Sequence, residues 1–228
     1  MPELPEVETI KRDLQQTILG KKIVKVYLHN PKVVRQPSPA AFTRSLEGRK
    51  IKNILRQAKL LIFELSDGNF LTIHLKMTGQ LVYPGGDNRS RVAFQFSDGS
   101  ILDFNDQRLF GELRLVSDWK KLKFVQNLGP EPFDLTLADF KDMLAKKKTS
   151  IKSLLLDQSS ISGIGNIYAA EILFRAKINP QRQAQSLTQS EKTILFRETK
   201  KVLSSAIKYG GSSVDDYVRV SGKPGDYV

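Results

Sequence analysis

The residues best equipped for chemistry stand at the start of the chain. Pro2 follows the initiator methionine and Glu3 follows Pro2. Removal of Met1 makes Pro2 the N-terminus and leaves it a free secondary amine. Such an amine can attack an electrophilic sugar or carbonyl carbon and form an iminium, the logic of a Schiff-base lysine. An α-amine has a pKa of about 7.7–8.0 against about 10.4 for lysine, so far more of it is unprotonated near neutrality. Glu3 is adjacent and can donate or accept the proton that the attack requires. The same residues also have a purely structural use. Proline is favoured at the first helical position, and Glu6 and Glu8 suit the positive end of a helix dipole.

These residues need a rigid support. Pro5 to Leu19 reads as a helix, with Val7, Ile10, Leu14 and Ile18 on one face and Gly20 as C-cap. Strand-like segments follow. Lys22–Asn30 alternates through Val24, Val26 and Leu28, and Ile51–Leu65 is a longer segment ending in the apolar Leu60–Phe63. After the turn Ser66-Asp67-Gly68 comes Phe70–Val82, then a hairpin from Arg91–Phe96 and Ile101–Phe104 around Asp98-Gly99. Short strands at this spacing predict an antiparallel sandwich or barrel. Gly129 and the prolines at 130 and 132 then break the pattern, and from Leu137 the periodicity is helical. Thr188 and Glu191 form a capping box for a long helix to Tyr209, closed by Gly210. The reading is α+β: an N-terminal helix and antiparallel β-sandwich over 1–128, a linker over 129–136, and a mainly helical domain over 137–228.

Size and charge agree. A chain of 228 residues accommodates two modest domains. Its net charge of +12 is spread through both halves and suits a polyanion, nucleic acid first and an anionic membrane surface second. There is no cysteine, so neither a disulfide framework nor a thiolate zinc site lies within these residues. The only histidines, His29 and His74, are far apart in sequence. Neither a signal peptide nor an apolar run of transmembrane length is visible, which makes a cytosolic protein the default.

Met1 to Thr9, MPELPEVET, is very similar to the opening of bacterial formamidopyrimidine-DNA glycosylases, and later motifs match in the same order. The related endonuclease VIII group has glycine where this chain has Leu4, so the resemblance leans to the purine-repair branch. By itself Lys59, in Gln57-Ala58-Lys59-Leu60, is a solvated strand end. The family's similar stretch implies a pocket lysine that contacts the phosphate or sugar of the damaged nucleotide; Leu60 stands where many members have tyrosine. His74-Leu75-Lys76-Met77-Thr78-Gly79 resembles a family motif whose third residue is usually glycine, so Lys76 implies a local difference in backbone geometry. Met77 is either a core methionine or, by resemblance, a wedge inserted into the duplex. Asn105 to Gly111 reads as a hairpin turn and matches the family loop that adds an arginine and an aromatic, here Arg108 and Phe110, to that wedge. A flipped base leaves a hole that an aromatic can fill, while an arginine hydrogen-bonds the orphaned partner base.

Arg89 and Arg91 replace histidines common in the family and are either DNA contacts or an ordinary exposed loop. Lys146-Lys147-Lys148 is a solvated run or a phosphate-binding one; Lys147 and Lys152 fall near family DNA-contact positions. Gly163-Ile164-Gly165-Asn166 opening a helix is a candidate phosphate site. Its context to Pro180 resembles the family's helix-two-turn-helix motif, with Asn166 on a phosphate flanking the lesion. Gly210–Ser213 and Val218–Asp226 resemble a lesion-covering loop, the alternative being a mobile tail.

The resemblance implies a base-excision repair enzyme, monomeric, cytoplasmic and nucleoid-associated, that acts on damaged double-stranded DNA. It flips an oxidised purine such as 8-oxoguanine or a formamidopyrimidine, attacks C1′ with Pro2, and cleaves the strand by elimination. Glu3 handles protons and Glu6 shapes the pocket. The alternatives are a catalytically impaired lesion binder and an endonuclease VIII-like pyrimidine glycosylase. Family members usually continue into a four-cysteine zinc finger beyond the position of Val228. The expectation is therefore no cofactor within this chain, with weakened DNA binding and strand cleavage.

Overall fold

A computed structural model describes residues 1–86, 90–213 and 216–227. Helix α1 (Leu4–Thr17) is followed by β1 (Ile23–Leu28), β2 (Val34–Gln36), α2 (Pro39–Leu46), β3 (Ile51–Gln57), β4 (Leu60–Leu65) and β5 (Phe70–His74). Then come β6 (Gly79–Val82), β7 (Ser90–Phe96), β8 (Ile101–Asp106) and β9 (Glu112–Val116). The helices that complete the chain are α3 (Lys123–Gln126), α4 (Leu137–Ala145), α5 (Ile151–Leu156), α6 (Asn166–Ala176) and α7 (Gln189–Lys208).

The strands make two sheets, ordered β1-β7-β8-β6 and β2-β9-β5-β4-β3. Pairing is antiparallel except for β2, which lies parallel to the β9 edge. Val26, Phe63, Ile73, Phe94 and Phe104 belong to the buried core of this part, and the apolar stripe of α1 (Val7, Ile10, Leu14) joins the same core. Leu60 to Phe63 are buried at four successive positions. A strand covered on both faces reads as a continuous apolar run and loses the alternation of a half-exposed one.

Two sequence segments divide differently from their apolar patterns. Ile51–Leu65 is a hairpin, with Gln57 paired to Leu60 and Ala58-Lys59 as its two-residue turn. Ala58 sits at φ +50°, a left-handed position with no glycine to signal it. Phe70–Val82 is two strands in different sheets, β5 pairing with β4 and β9 while β6 pairs with β8. Residues 75–78 make the crossing, and Lys76 turns it at φ +54°.

The chain forms two compact units, Met1–Leu122 with Tyr209–Val228, and Lys123–Lys208. The last twenty residues, which the sequence pattern groups with the helices, therefore go with the sandwich. The described part of this segment is packed rather than a mobile tail. Tyr217 and Val220 are buried in the sandwich core, Arg219 makes a two-armed ion pair with Asp13 of α1 at 2.8 and 3.1 Å, and the Tyr83 N–H donates to the Val220 carbonyl at 2.7 Å. Gly211, at φ +86°, admits no side chain, because a Cβ there would lie 2.9 Å from Glu6 Oε1.

In the other unit α6 packs along α7, α4 lies on α7 and α5 on α6. The Phe140 and Phe196 rings meet at 5.4 Å. The Gly-Pro-Glu-Pro stretch is docked here: the Gly129 N–H donates to Gln158 and the Ser162 N–H to Pro130, both at 2.9 Å.

Candidate active site and nucleic-acid interface

The N-terminal corner is built around one carboxylate. Glu6 Oε2 accepts the Glu3 N–H at 2.8 Å and Glu6 Oε1 accepts the Ser212 N–H at 2.9 Å. The start of α1 is thus tied to the C-terminal segment of the same unit. Pro2 is buried, and Glu3 and Glu6 are each 1 % exposed. Met1 precedes Pro2, so the proline nitrogen is an amide until that residue is removed.

A second anchor holds the helix to the β3–β4 turn. Glu8 accepts from Lys11 and Arg12, each at 2.8 Å, and from Arg56 at 2.9 Å. Burial works against the Glu8 charge, but these donors outweigh it and keep the carboxyl below its ordinary value. Arg56 also donates to the Ala58 carbonyl at 2.9 Å, bracing the left-handed turn residue. Lys59, the other turn residue, is buried rather than a solvated strand end. Desolvation lowers its pKa while the charges of Glu3 and Glu6 pull it back up. Lys59, more than fifty positions away in sequence, thus shares one buried corner with Glu3, Glu6 and the adjoining Pro2.

The other candidates in this unit lie on two loops that meet where Gly79 pairs with Asp106. Asp106 is buried and organises both. It accepts from the Thr78 hydroxyl at 2.6 Å, from the Arg108 N–H at 3.2 Å and from the Gly111 N–H at 2.6 Å. Gly111 is required because a Cβ would lie 2.5 Å from the Phe104 ring. With the backbone so held, Met77 is 41 % and Phe110 48 % exposed. Met77 is therefore no core methionine. The Arg108 guanidinium lies 4.7 Å from the Phe110 ring centre, a cation–π pair. Arg91 Nε donates to the Asp106 carbonyl at 2.9 Å, and Arg89 lies outside the described residues.

His74 was not singled out by sequence reasoning as more than a motif residue. It is half-buried at the end of β5, and its Nδ1 accepts the Lys76 N–H at 3.1 Å. Burial, reinforced by Lys76, pushes its pKa down to about 3. It is therefore a neutral acceptor at neutral pH.

In the helical unit Asn166 is exposed at the first position of α6, whose N-cap is Gly165. The preceding turn is held by the Gln158 amide, which donates to the Ile164 carbonyl at 2.7 Å and accepts the Gly163 N–H at 2.9 Å. Lys147 lies 3.7 Å from Asp157. Hydrogen bonds from Ser159 and Ser160, with Lys147 behind them, hold that carboxyl down at about 2. Lys152 lines an open groove of about 620 Å³ with Leu173, Phe174, Lys177 and Pro180.

A buried proline–glutamate–lysine corner on a β-sandwich, joined to a helical unit with a glycine-capped helix start, is the make-up of a DNA-lesion-processing protein. The formamidopyrimidine-DNA glycosylase N-terminal domain matches residues 1–113, and the helix-two-turn-helix domain of the same glycosylases matches residues 128–218. The chain belongs to the formamidopyrimidine-DNA glycosylase family. It is 42 % identical over 236 residues to the formamidopyrimidine-DNA glycosylase of Desulforamulus reducens, covering 100 % of this chain and 85 % of that protein. Among solved structures it resembles the MutM (Fpg) protein of Thermus thermophilus, at 38 % identity and TM-score 0.87, covering 98 % of this chain and 84 % of that one. The Lactococcus lactis Fpg in complex with abasic-site DNA is 33 % identical with TM-score 0.89, over the same shares.

The family's zinc finger needs thiolates. This chain has no cysteine, and among the described residues no cluster of three His, Asp or Glu side chains suits a metal. These residues do not fit zinc, and no step of the chemistry proposed for them uses it. Among the described residues no helix is long and apolar enough to cross a membrane.

Proposed function

We propose that this base-excision repair glycosylase and abasic-site lyase removes an oxidised purine from duplex DNA with Pro2, freed of Met1, as its nucleophile. The proline nitrogen forms a bond to C1′ as the C1′–base bond breaks, and the base departs with a proton. Glu3, buried beside the proline, shuttles the proton that opens the sugar and leaves the iminium. The iminium acidifies the neighbouring C2′, whose proton is lost as the C3′–O bond breaks, and water then releases the proline. Lys59 is the cation for the phosphate or sugar of the damaged nucleotide. Its desolvated ammonium acts more strongly on an anion than one in water.

The observation that carries this reading is the two-sided grip of Glu6 on the Glu3 and Ser212 amides. It ties the Glu3 backbone, and with it the adjoining Pro2, to the C-terminal segment, the kind of support that nucleophilic attack demands. Met77, Arg108 and Phe110 fill the space left by the flipped nucleotide. Lys147, Lys152 and Asn166 hold backbone phosphates. The division of labour between a catalytic part, the β-sandwich unit, and a DNA-binding part, the helical unit, belongs to the same reading.

Borohydride trapping on abasic duplex tests the nucleophile. Protein verified by mass spectrometry to begin at Pro2 is expected to give a covalent adduct, and protein retaining Met1 to give none. Equal adduct from both would exclude Pro2.

A further inference from the structure

Lys76 occupies a position that disfavours it. Its φ of +54° lies in the left-handed region, where a Cβ crowds the backbone and glycine is at ease. Three contacts hold it there. Its N–H donates to His74 Nδ1 at 3.1 Å, its Nζ lies 3.6 Å from Glu112 Oε2, and the Gly79 N–H closes the turn onto the Leu75 carbonyl at 3.0 Å. Glu112 stands on β9, and Arg114 holds it at 2.8 Å, with Arg35 at 3.9 Å on its other oxygen. The side chain of Lys76 therefore reaches from the crossing loop to a strand of the sheet that the chain has just left. The next residue is the exposed Met77.

We propose that Lys76 is a positioning residue, whose tether to Glu112 sets the height and direction of Met77 and so governs how fast the loop enters the duplex. The proposal rests on the wedge reading of Met77 given above. Glycine would make the same turn without the tether. Its backbone would be relaxed and its loop free to swing about residues 75–78. A lysine there gives up backbone comfort and gains a fixed loop.

The test separates stability from insertion. The variants are Lys76→Gly, Lys76→Asn (asparagine tolerates the left-handed region and is too short to bridge), Glu112→Gln, the double Lys76→Gly/Glu112→Gln, and Met77→Ala. Each is mixed in a stopped-flow instrument with a duplex that carries a tetrahydrofuran abasic analogue beside 2-aminopurine. Lys76→Gly and Lys76→Asn are expected to keep or raise Tm yet slow the fluorescence rise by about tenfold, the scale of a small misplacement. Glu112→Gln is expected to slow it likewise, and the double variant no more than either single. A residue of purely structural importance would lower Tm and rate together. A slow Met77→Ala beside a normal Lys76→Gly overturns the tether alone. A silent Met77→Ala removes the wedge reading and the tether with it. Additive losses in the double variant, or a Lys76 defect that shrinks steeply with salt while Glu112→Gln is normal, make Lys76 a phosphate contact and overturn the proposal.

Discussion

The N-terminal corner and the Met77–Phe110 loops belong to one unit and solve opposite problems. In the corner, polar groups are buried: Glu3, Glu6 and Lys59 lie out of water, and the backbone around them is pinned by the Glu6 carboxylate. In the loops, apolar side chains are exposed above a buried carboxylate, Asp106. Burial suits the role proposed for the corner, because a nucleophile and its proton carrier work best in a low-dielectric, immobile setting. Exposure suits the loops because a side chain can enter a base stack only from the surface. Both use an Asp or Glu to accept backbone N–H groups while also bonding a residue distant in sequence, Ser212 by its N–H for Glu6 and Thr78 by its hydroxyl for Asp106, so rigidity is common to the two and solvent access is what differs.

If that account holds, the anchors should matter most. Asp106→Ala strands several N–H and hydroxyl donors at once, and urea unfolding should show a loss of about 3 kcal/mol. A loss below about 1 kcal/mol would mean the loops are not held as described. Glu6→Gln keeps the shape but turns one acceptor into an amide facing an N–H. A loss of about 1.5–3 kcal/mol is expected, with a matching fall in borohydride-trapped adduct.

His74 gives a pH test. Its folded pKa of about 3 lies below the ordinary 6.5. The unfolded chain therefore takes up the proton first, so stability falls as pH drops from about 6.5 toward about 3. The slope from this residue is at most about 1.4 kcal/mol per pH unit. Relative to His74→Gln, wild type should lose stability through that window and run parallel above it. Equal slopes throughout would mean that the histidine is not desolvated in the folded chain.

The smallest expected change in stability is that of Phe110→Ala, within about 0.5 kcal/mol because the ring is half-exposed. Its affinity for a lesion-bearing duplex should nevertheless fall about tenfold, the scale of one lost base–aromatic stack. A fall in stability with unchanged affinity would reverse the roles assigned to the two regions.

Much of this molecule was legible from its residues. The stripe Val7, Ile10, Leu14 marks α1, the Asp98-Gly99 turn marks the β7–β8 hairpin, and Thr188 with Glu191 marks the start of α7, where the pair is bonded reciprocally at 2.7 and 3.2 Å. These are local signals, written within one turn of helix or one strand pair. The same short-range code placed Pro2 beside Glu3, and the opening residues already resembled the family. Local pattern could not divide Phe70–Val82 between two sheets, because an apolar run does not say which sheet it joins and Lys76 carries no glycine signal for its turn. Nor could it assign residues 209–228 to the sandwich, since that depends on Glu6 meeting Ser212 and Asp13 meeting Arg219, each pair 206 positions apart. Residue types determined what chemistry was available. Only the folded chain decided which groups lost water, because desolvation belongs to a place in three dimensions and not to a position in sequence.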